Sequence, residues 1–363
     1  MSAPATLPGG APHGRPDGVA PAGVDVARAS RHRGRVRETR LVTGLSVALV
    51  VLAAVGITLG DAAVPLSGLL DTALGRADVL TEFVVVELRL PRLLTALVVG
   101  AALGLSGALF QSIVRNPLAS PDIIGITQSA SAAGVVGVVV LGISGLALTG
   151  LVLAGSLVAA VAIYLLAWRG GVAGYRLVLI GIGVAALCMS VVSWVLTTSD
   201  VRDAQAALVW LTGSLARSDW STLGPLLVCC AVLVPLTAVL APRLRSLELG
   251  DDSAAALGVR VERSRLLLIL VAVGLAGSAV AVVGPVSFVA LVAAPIARRS
   301  LGDGRLALVP AALVGALLVL ASDLVAQFAI PDVTLPVGVV TGIVGAPYLL
   351  WLLVRTNRSG RGG

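Results

Sequence analysis

Few residue types that do chemistry occur in this chain, and their placement narrows what it can do. All 26 basic residues are arginine and lysine is absent. The chain therefore lacks both the lysine of a Walker A phosphate loop and a Schiff-base lysine. Its two histidines, His13 and His32, lie in an N-terminal tail, so the apolar body has none to bind haem or zinc or to relay a proton. Cys188, Cys229 and Cys230 sit in apolar runs without metal-ligand spacing and read as small packed hydrophobes. Asp323 is the one acid well inside an apolar run. An intramembrane carboxylate is a functional candidate by default. A proton-driven carrier wants further acids or a partner, and none lies near in sequence, so a buried hydrogen-bonded role is preferred. The chain reads as a non-enzyme with no cofactor or metal of its own. If it uses ATP, another chain hydrolyses it.

Three further groups carry polarity to places where it matters. Gln111, Asn116 and Pro117 belong to the stretch Gln111-Ser-Ile-Val-Arg-Asn-Pro-Leu-Ala-Ser-Pro121. It fits either a capped turn between helices or a polar gate at the mouth of a path. Gln128, Ser129 and Ser131 open another apolar run, where small polar side chains line a wet path or bond across helices. Segment 242–265 is the third. Asp251 and Asp252 can cap a short helix through Ala254 and Leu257, and Gly258 can end it before Arg260. Such a helix is something an external motor could push; the plain alternative is a basic connector.

These groups need a scaffold, and composition says which. Of the 363 residues, 57% are hydrophobic and 12% charged, with a mean hydropathy of +1.02. A soluble domain carries roughly 25% charge. The expectation is an all-α polytopic membrane protein. Runs near the length of a spanning helix fall at 41–60, 93–113, 123–142, 146–168, 177–198, 221–241, 266–283, 286–297, 306–330 and 336–354, or about ten transmembrane helices. Gly284-Pro285 splits the longest run, and Pro65–Leu80 reads as an amphipathic surface helix. Gly100 and Gly104 make a G-x-x-x-G step suited to close packing within the chain.

Residues 1–40, rich in Pro, Gly, Ala and Arg, read as a disordered cytoplasmic tail. Residues 41–355 form the membrane domain and 356–363 a second cytoplasmic tail. Twenty-one arginines fall on segments that face the cytoplasm if the N-terminus does. Only Arg76, Arg89, Arg92, Arg202 and Arg217 fall on the other side. By the positive-inside rule both termini are cytoplasmic. The basic tail suits anionic membrane lipid better than nucleic acid.

Several motifs agree on one family. Arg89-Leu-Pro-Arg92, Gly104-Leu-Ser-Gly107 and Asn116-Pro-Leu-Ala-Ser-Pro121-Asp-Ile-Ile-Gly125 come first. Trp210-Leu-Thr-Gly-Ser214, Gly284-Pro-Val-Ser-Phe-Val-Ala-Leu291, Ser322-Asp323, Leu335-Pro-Val-Gly338 and Gly345-Ala-Pro-Tyr348 follow in order. From about residue 41 to 355 the chain resembles the permease subunits of FecCD-type ABC importers, which carry ferric siderophores, haem or cobalamin. The motif variants look closest to ferric-siderophore permeases.

The resemblance implies the type II ABC importer architecture in a bacterial plasma membrane. It implies as partners a second permease, identical or paralogous, and two ATP-binding subunits carrying ATP and Mg. An extracytoplasmic siderophore-binding lipoprotein and the ferric siderophore complete the set. It also implies docking of that lipoprotein at Arg89 and Arg92, and at position 327, where Gln327 stands in place of the family's arginine. ATPase coupling is implied at Asp251, Asp252, Ala254, Leu257, Gly258 and Arg260. Ala294-Pro295 departs from the family pattern and displaces an expected helix break by one residue. A cobalamin or haem permease of the same family, and a proton-coupled carrier using Asp323, are the alternatives.

Overall fold

The computed structural model describes residues 21–59, 64–168, 174–302, 306–331 and 333–359. It is helical, with no β-sheet among them. The helices are α1 (Pro21–Thr58), α2 (Leu66–Ala73), α3 (Val79–Glu82), α4 (Leu90–Val114), α5 (Ile126–Val135), α6 (Gly145–Ala167), α7 (Gly174–Thr198) and α8 (Val201–Leu211), followed by α9 (Trp220–Glu248), α10 (Asp251–Ala256), α11 (Val261–Val283), α12 (Val289–Leu301), α13 (Leu308–Phe328) and α14 (Val337–Ser359). Wider π-helical turns at Phe83–Arg89 and Val136–Val140 lead into α4 and extend α5.

A helix stands on each of the ten expected runs. Seven are long and apolar enough to cross a membrane, and Ile126–Val140 and Val337–Trp351 are shorter apolar helices. At 13 residues, α12 falls short of the roughly 20 that span a bilayer.

Helices α4 and α11 form the centre and bury most of their length. Small residues make this possible. A Cβ at Gly100 or Gly104 would strike the α13 backbone at Gly315 and Ala311, and one at Gly107 would strike Ala290 on α12. The G-x-x-x-G step is therefore a seam within the chain. Ser106 donates to Ala272 O at 2.7 Å, fastening α4 to α11. Val50, Leu165, Trp194 and Val239 on the peripheral helices stay exposed, as lipid contact allows.

Three stretches quoted above as motifs meet in one knot. Ser214 N–H donates to Val283 O at 2.8 Å and Gly338 N–H to Gly213 O at 3.1 Å. Gly213 and Gly284 both have left-handed φ, +68° and +75°, and a side chain on either would collide with the other strand of the knot.

The structure revises four expectations. Residues 21–40 are not a disordered tail but continue α1. The compositional argument concerned a core, and an Ala- and Arg-rich helix propagating from a membrane segment needs none. Residues 1–20 and 360–363 lie outside the described residues. The Pro65–Leu80 stretch is broken at Gly75 into α2 and α3. Pro295 does not displace a break: it sits inside α12, which starts after the Gly284–Phe288 turn. Asp251 and Asp252 do not cap α10. Gly250, at φ +108°, holds the N-cap and both acids lie in the first turn.

Candidate functional site

The polar candidates gather at the two ends of the bundle, with Asn116 and Pro117 on a cleft at the end that carries α10. At the start of α4, Arg92 reaches α13. Its Nη2 lies 2.8 Å from Asp323 Oδ1 and its Nε 3.1 Å from Oδ2. Gln327 Nε2, one turn along α13, donates to Asp323 Oδ2 at 2.8 Å. Asp323 is thus a fully partnered carboxylate, its side chain 3% exposed against 20% for Arg92. The pair and Arg89 line a cavity of about 150 Å³ with Leu88, Leu320 and Leu324. Arg89 is half-buried and donates to Ile57 O on α1. Trp220 Nε1 donates to Val86 O at 3.0 Å, tying the start of α9 to the same rim. The three expected docking residues therefore share one rim, but Arg92 and Gln327 spend their hydrogen bonds on Asp323.

Asn116 and Pro117 stand exposed on the wall of an open cleft of about 580 Å³, opposite Tyr175, Val178 and Ile182 of α7. The Asn116 side chain accepts from Leu118 N–H at 2.9 Å, which shapes the turn. Gln111, expected beside them on a path, is 1% exposed and serves packing. Its Nε2 donates to Leu291 O at 3.0 Å. Ser129 is buried and bonds back to Gly125 O at 2.7 Å. Gln128 is half-buried, and its Oε1 has no hydrogen-bond partner among the described residues.

The far end of the bundle carries α10. Asp252, Leu257, Gly258 and Arg260 are exposed there, Leu257 at 64%. Gly258 has φ +80° and open space around it. Ala254 differs from the other expected coupling residues: it is fully buried and fastens α10 to the core. Asp251 is tied down as well. Arg265 Nη2 contacts both its oxygens at 2.8 Å and Arg115 Nη2 contacts Oδ1 at 2.9 Å. Arg265 also pairs with Glu262 at 3.2 Å, and the Tyr164 hydroxyl donates to Glu262 Oε2 at 2.8 Å.

Arg115, Arg265, Glu262 and Tyr164 were not singled out from the sequence. For Arg265 and Glu262 the available signal was their place in the basic segment 242–265; Arg115 lies 136 positions from Asp251 and had none. Among the described residues no group of three or more His, Cys, Asp or Glu side chains is placed to hold a metal ion.

A family model for the FecCD transport family matches residues 48–355. The ferric enterobactin transport system permease protein FepG of Escherichia coli (strain K12) is 44% identical over 86% of this chain and 94% of its own length. The Fe(3+)-citrate import system permease protein YfmE of Bacillus subtilis (strain 168) is 37% identical over 85% and 93%. Among solved structures, one described as a metal-chelate type ABC transporter in an inward-facing conformation superposes with a TM-score of 0.76. It has 30% identity and covers 87% of this chain and 99% of that one. Matched along nearly the whole membrane domain by sequence and by fold, the chain belongs to the FecCD transport family and is a membrane-spanning permease subunit of the ABC importer type.

Proposed function

We propose that the chain is the permease of an ATP-driven importer of ferric siderophores, working by alternating access. The observation that carries the substrate class is the 44% identity to an enterobactin permease, against 36% to the hemin transport system permease protein HmuU of Yersinia pestis. The iron stays inside its chelate, so the permease needs a passage rather than metal ligands. The open cleft walled by Asn116 and Pro117 is the inner mouth of that passage.

Energy enters from outside the chain, which has no lysine to hold a nucleotide phosphate. Two ATP-binding subunits carry ATP and Mg and seat α10, whose exposed Asp252, Leu257, Gly258 and Arg260 form the contact. The rim at Arg89 receives an extracytoplasmic binding lipoprotein. With the α10 end cytoplasmic, as the arginine distribution favours, both termini are cytoplasmic in a bacterial plasma membrane. The second permease is a paralogue. The FepG and FepD relatives bear the name of one ferric enterobactin system, and this chain is 44% identical to the first and 35% to the second. The proton-carrier reading loses its basis because Arg92 and Gln327 occupy the Asp323 carboxylate.

The test is iron uptake by a deletion strain and its complemented parent, given ferric enterobactin, ferric citrate, a ferric hydroxamate or hemin as sole iron source. Loss of growth confined to ferric siderophores supports the reading. Loss confined to hemin overturns it.

A further inference from the structure

The ion pairs at the α10 end link that helix both to α11 and to the turn that carries Asn116 and Pro117. Asp251 opens α10 and accepts from two arginines of different character. Arg265, on α11, has a side chain only 6% exposed and touches both carboxylate oxygens, so it ties α10 to α11 and the two shift together. Arg115 makes a single contact, and its side chain and that of Asp251 are 46% and 44% exposed. An exposed ion pair adds little stability and opens readily. Arg115 is also the residue immediately before Asn116 and Pro117.

Its backbone points the same way. Arg115 ends α4 in the left-handed region, at φ 55° and ψ 37°, with its N–H on Gln111 O. Glycine is the usual residue at such a helix end because it adopts this conformation without strain. An arginine there retains the strain and gains a guanidinium that reaches Asp251. We propose that Arg115 is a positioning residue for transport: its releasable bond to Asp251 passes displacement of α10 to the Asn116–Pro117 turn on the cleft wall. This rests on α10 being the ATPase contact. Asp251 stays with Arg265 as α10 shifts, and the Arg115 bond tightens or parts, moving the turn that follows it.

Arg115→Gly removes the link while easing the backbone, so it separates coupling from folding. Arg115→Lys retains the charge. Each variant is reconstituted with its partner permease, ATPase subunits and binding protein, and ferric enterobactin delivered per ATP hydrolysed is measured. The expected result for Arg115→Gly is an unchanged melting temperature with an efficiency lower by about tenfold, restored in large part by Arg115→Lys. Wild-type efficiency in Arg115→Gly overturns the inference, as does a lysine variant no better than glycine. Gly258→Trp is measured alongside. If it too leaves hydrolysis and uptake intact, the reading of α10 has failed; if it uncouples them while Arg115→Gly does not, only the link has failed.

Discussion

Gln111 Nε2 lies 3.0 Å from the carbonyl oxygen of Leu291, four residues before Pro295. In an unbroken α-helix that carbonyl would accept from the N–H of residue 295, and proline has none. A side chain from α4 therefore completes the hydrogen bonding of α12 at the point where its own proline cannot. This explains how α12 runs through Pro295, and it gives a conserving role to a glutamine buried in an apolar seam.

The relationship is testable by exchange. Gln111→Leu leaves a buried carbonyl without a donor, at a cost of about 1–3 kcal/mol. The melting temperature of the purified protein should fall. Pro295→Ala in the same background restores a backbone donor for Leu291 and should recover most of the loss. No recovery would mean that Gln111 supports the fold by some other contact.

Arg92 and Asp323 give a second expectation. Arg92→Gln leaves a buried carboxylate without its cation, with Gln327 as the remaining donor, and breaking such a pair costs about 3–5 kcal/mol. The double variant Arg92→Gln with Asp323→Asn should be more stable than Arg92→Gln alone, as judged by thermal unfolding in detergent. If the single variant melts like wild type, the pair is not a structural element. Asp323 would then be available for the proton-carrier role.

Much of this was legible in advance, for a physical reason. Lipid requires uninterrupted apolar helix, so the ten runs are visible in the sequence and a helix stands on each. Pairings across the fold are not visible. Asp323 has no cation near it in sequence, yet Arg92 reaches it across 231 positions. The orphaned carbonyl before Pro295 could be foreseen, but not that Gln111 answers it. On α10, the sequence announced a short helix without saying which face turns inward. That distinction, Ala254 buried and Leu257 exposed, needed three dimensions.

The orientation proposed from the arginines can be checked directly. Single cysteines at Ser253 and Ala206, both exposed, are placed in a background lacking Cys188, Cys229 and Cys230. A membrane-impermeant thiol reagent applied to intact cells or spheroplasts should label Ala206→Cys and spare Ser253→Cys. Labelling of Ser253→Cys alone would invert the topology.

We propose that ATP energy reaches this chain through α10. Leu257 is 64% exposed and Gly258 has open space around it, so changing them tests a contact with another subunit rather than the core. The decisive measurement is ATP hydrolysis by the reconstituted transporter, with and without loaded binding protein, for wild type, Leu257→Glu and Gly258→Trp. If α10 is that contact, binding-protein stimulation and ferric siderophore uptake disappear together in both variants while the permease remains inserted. Full stimulation in both variants, with uptake that follows an imposed pH gradient instead of ATP, would contradict it.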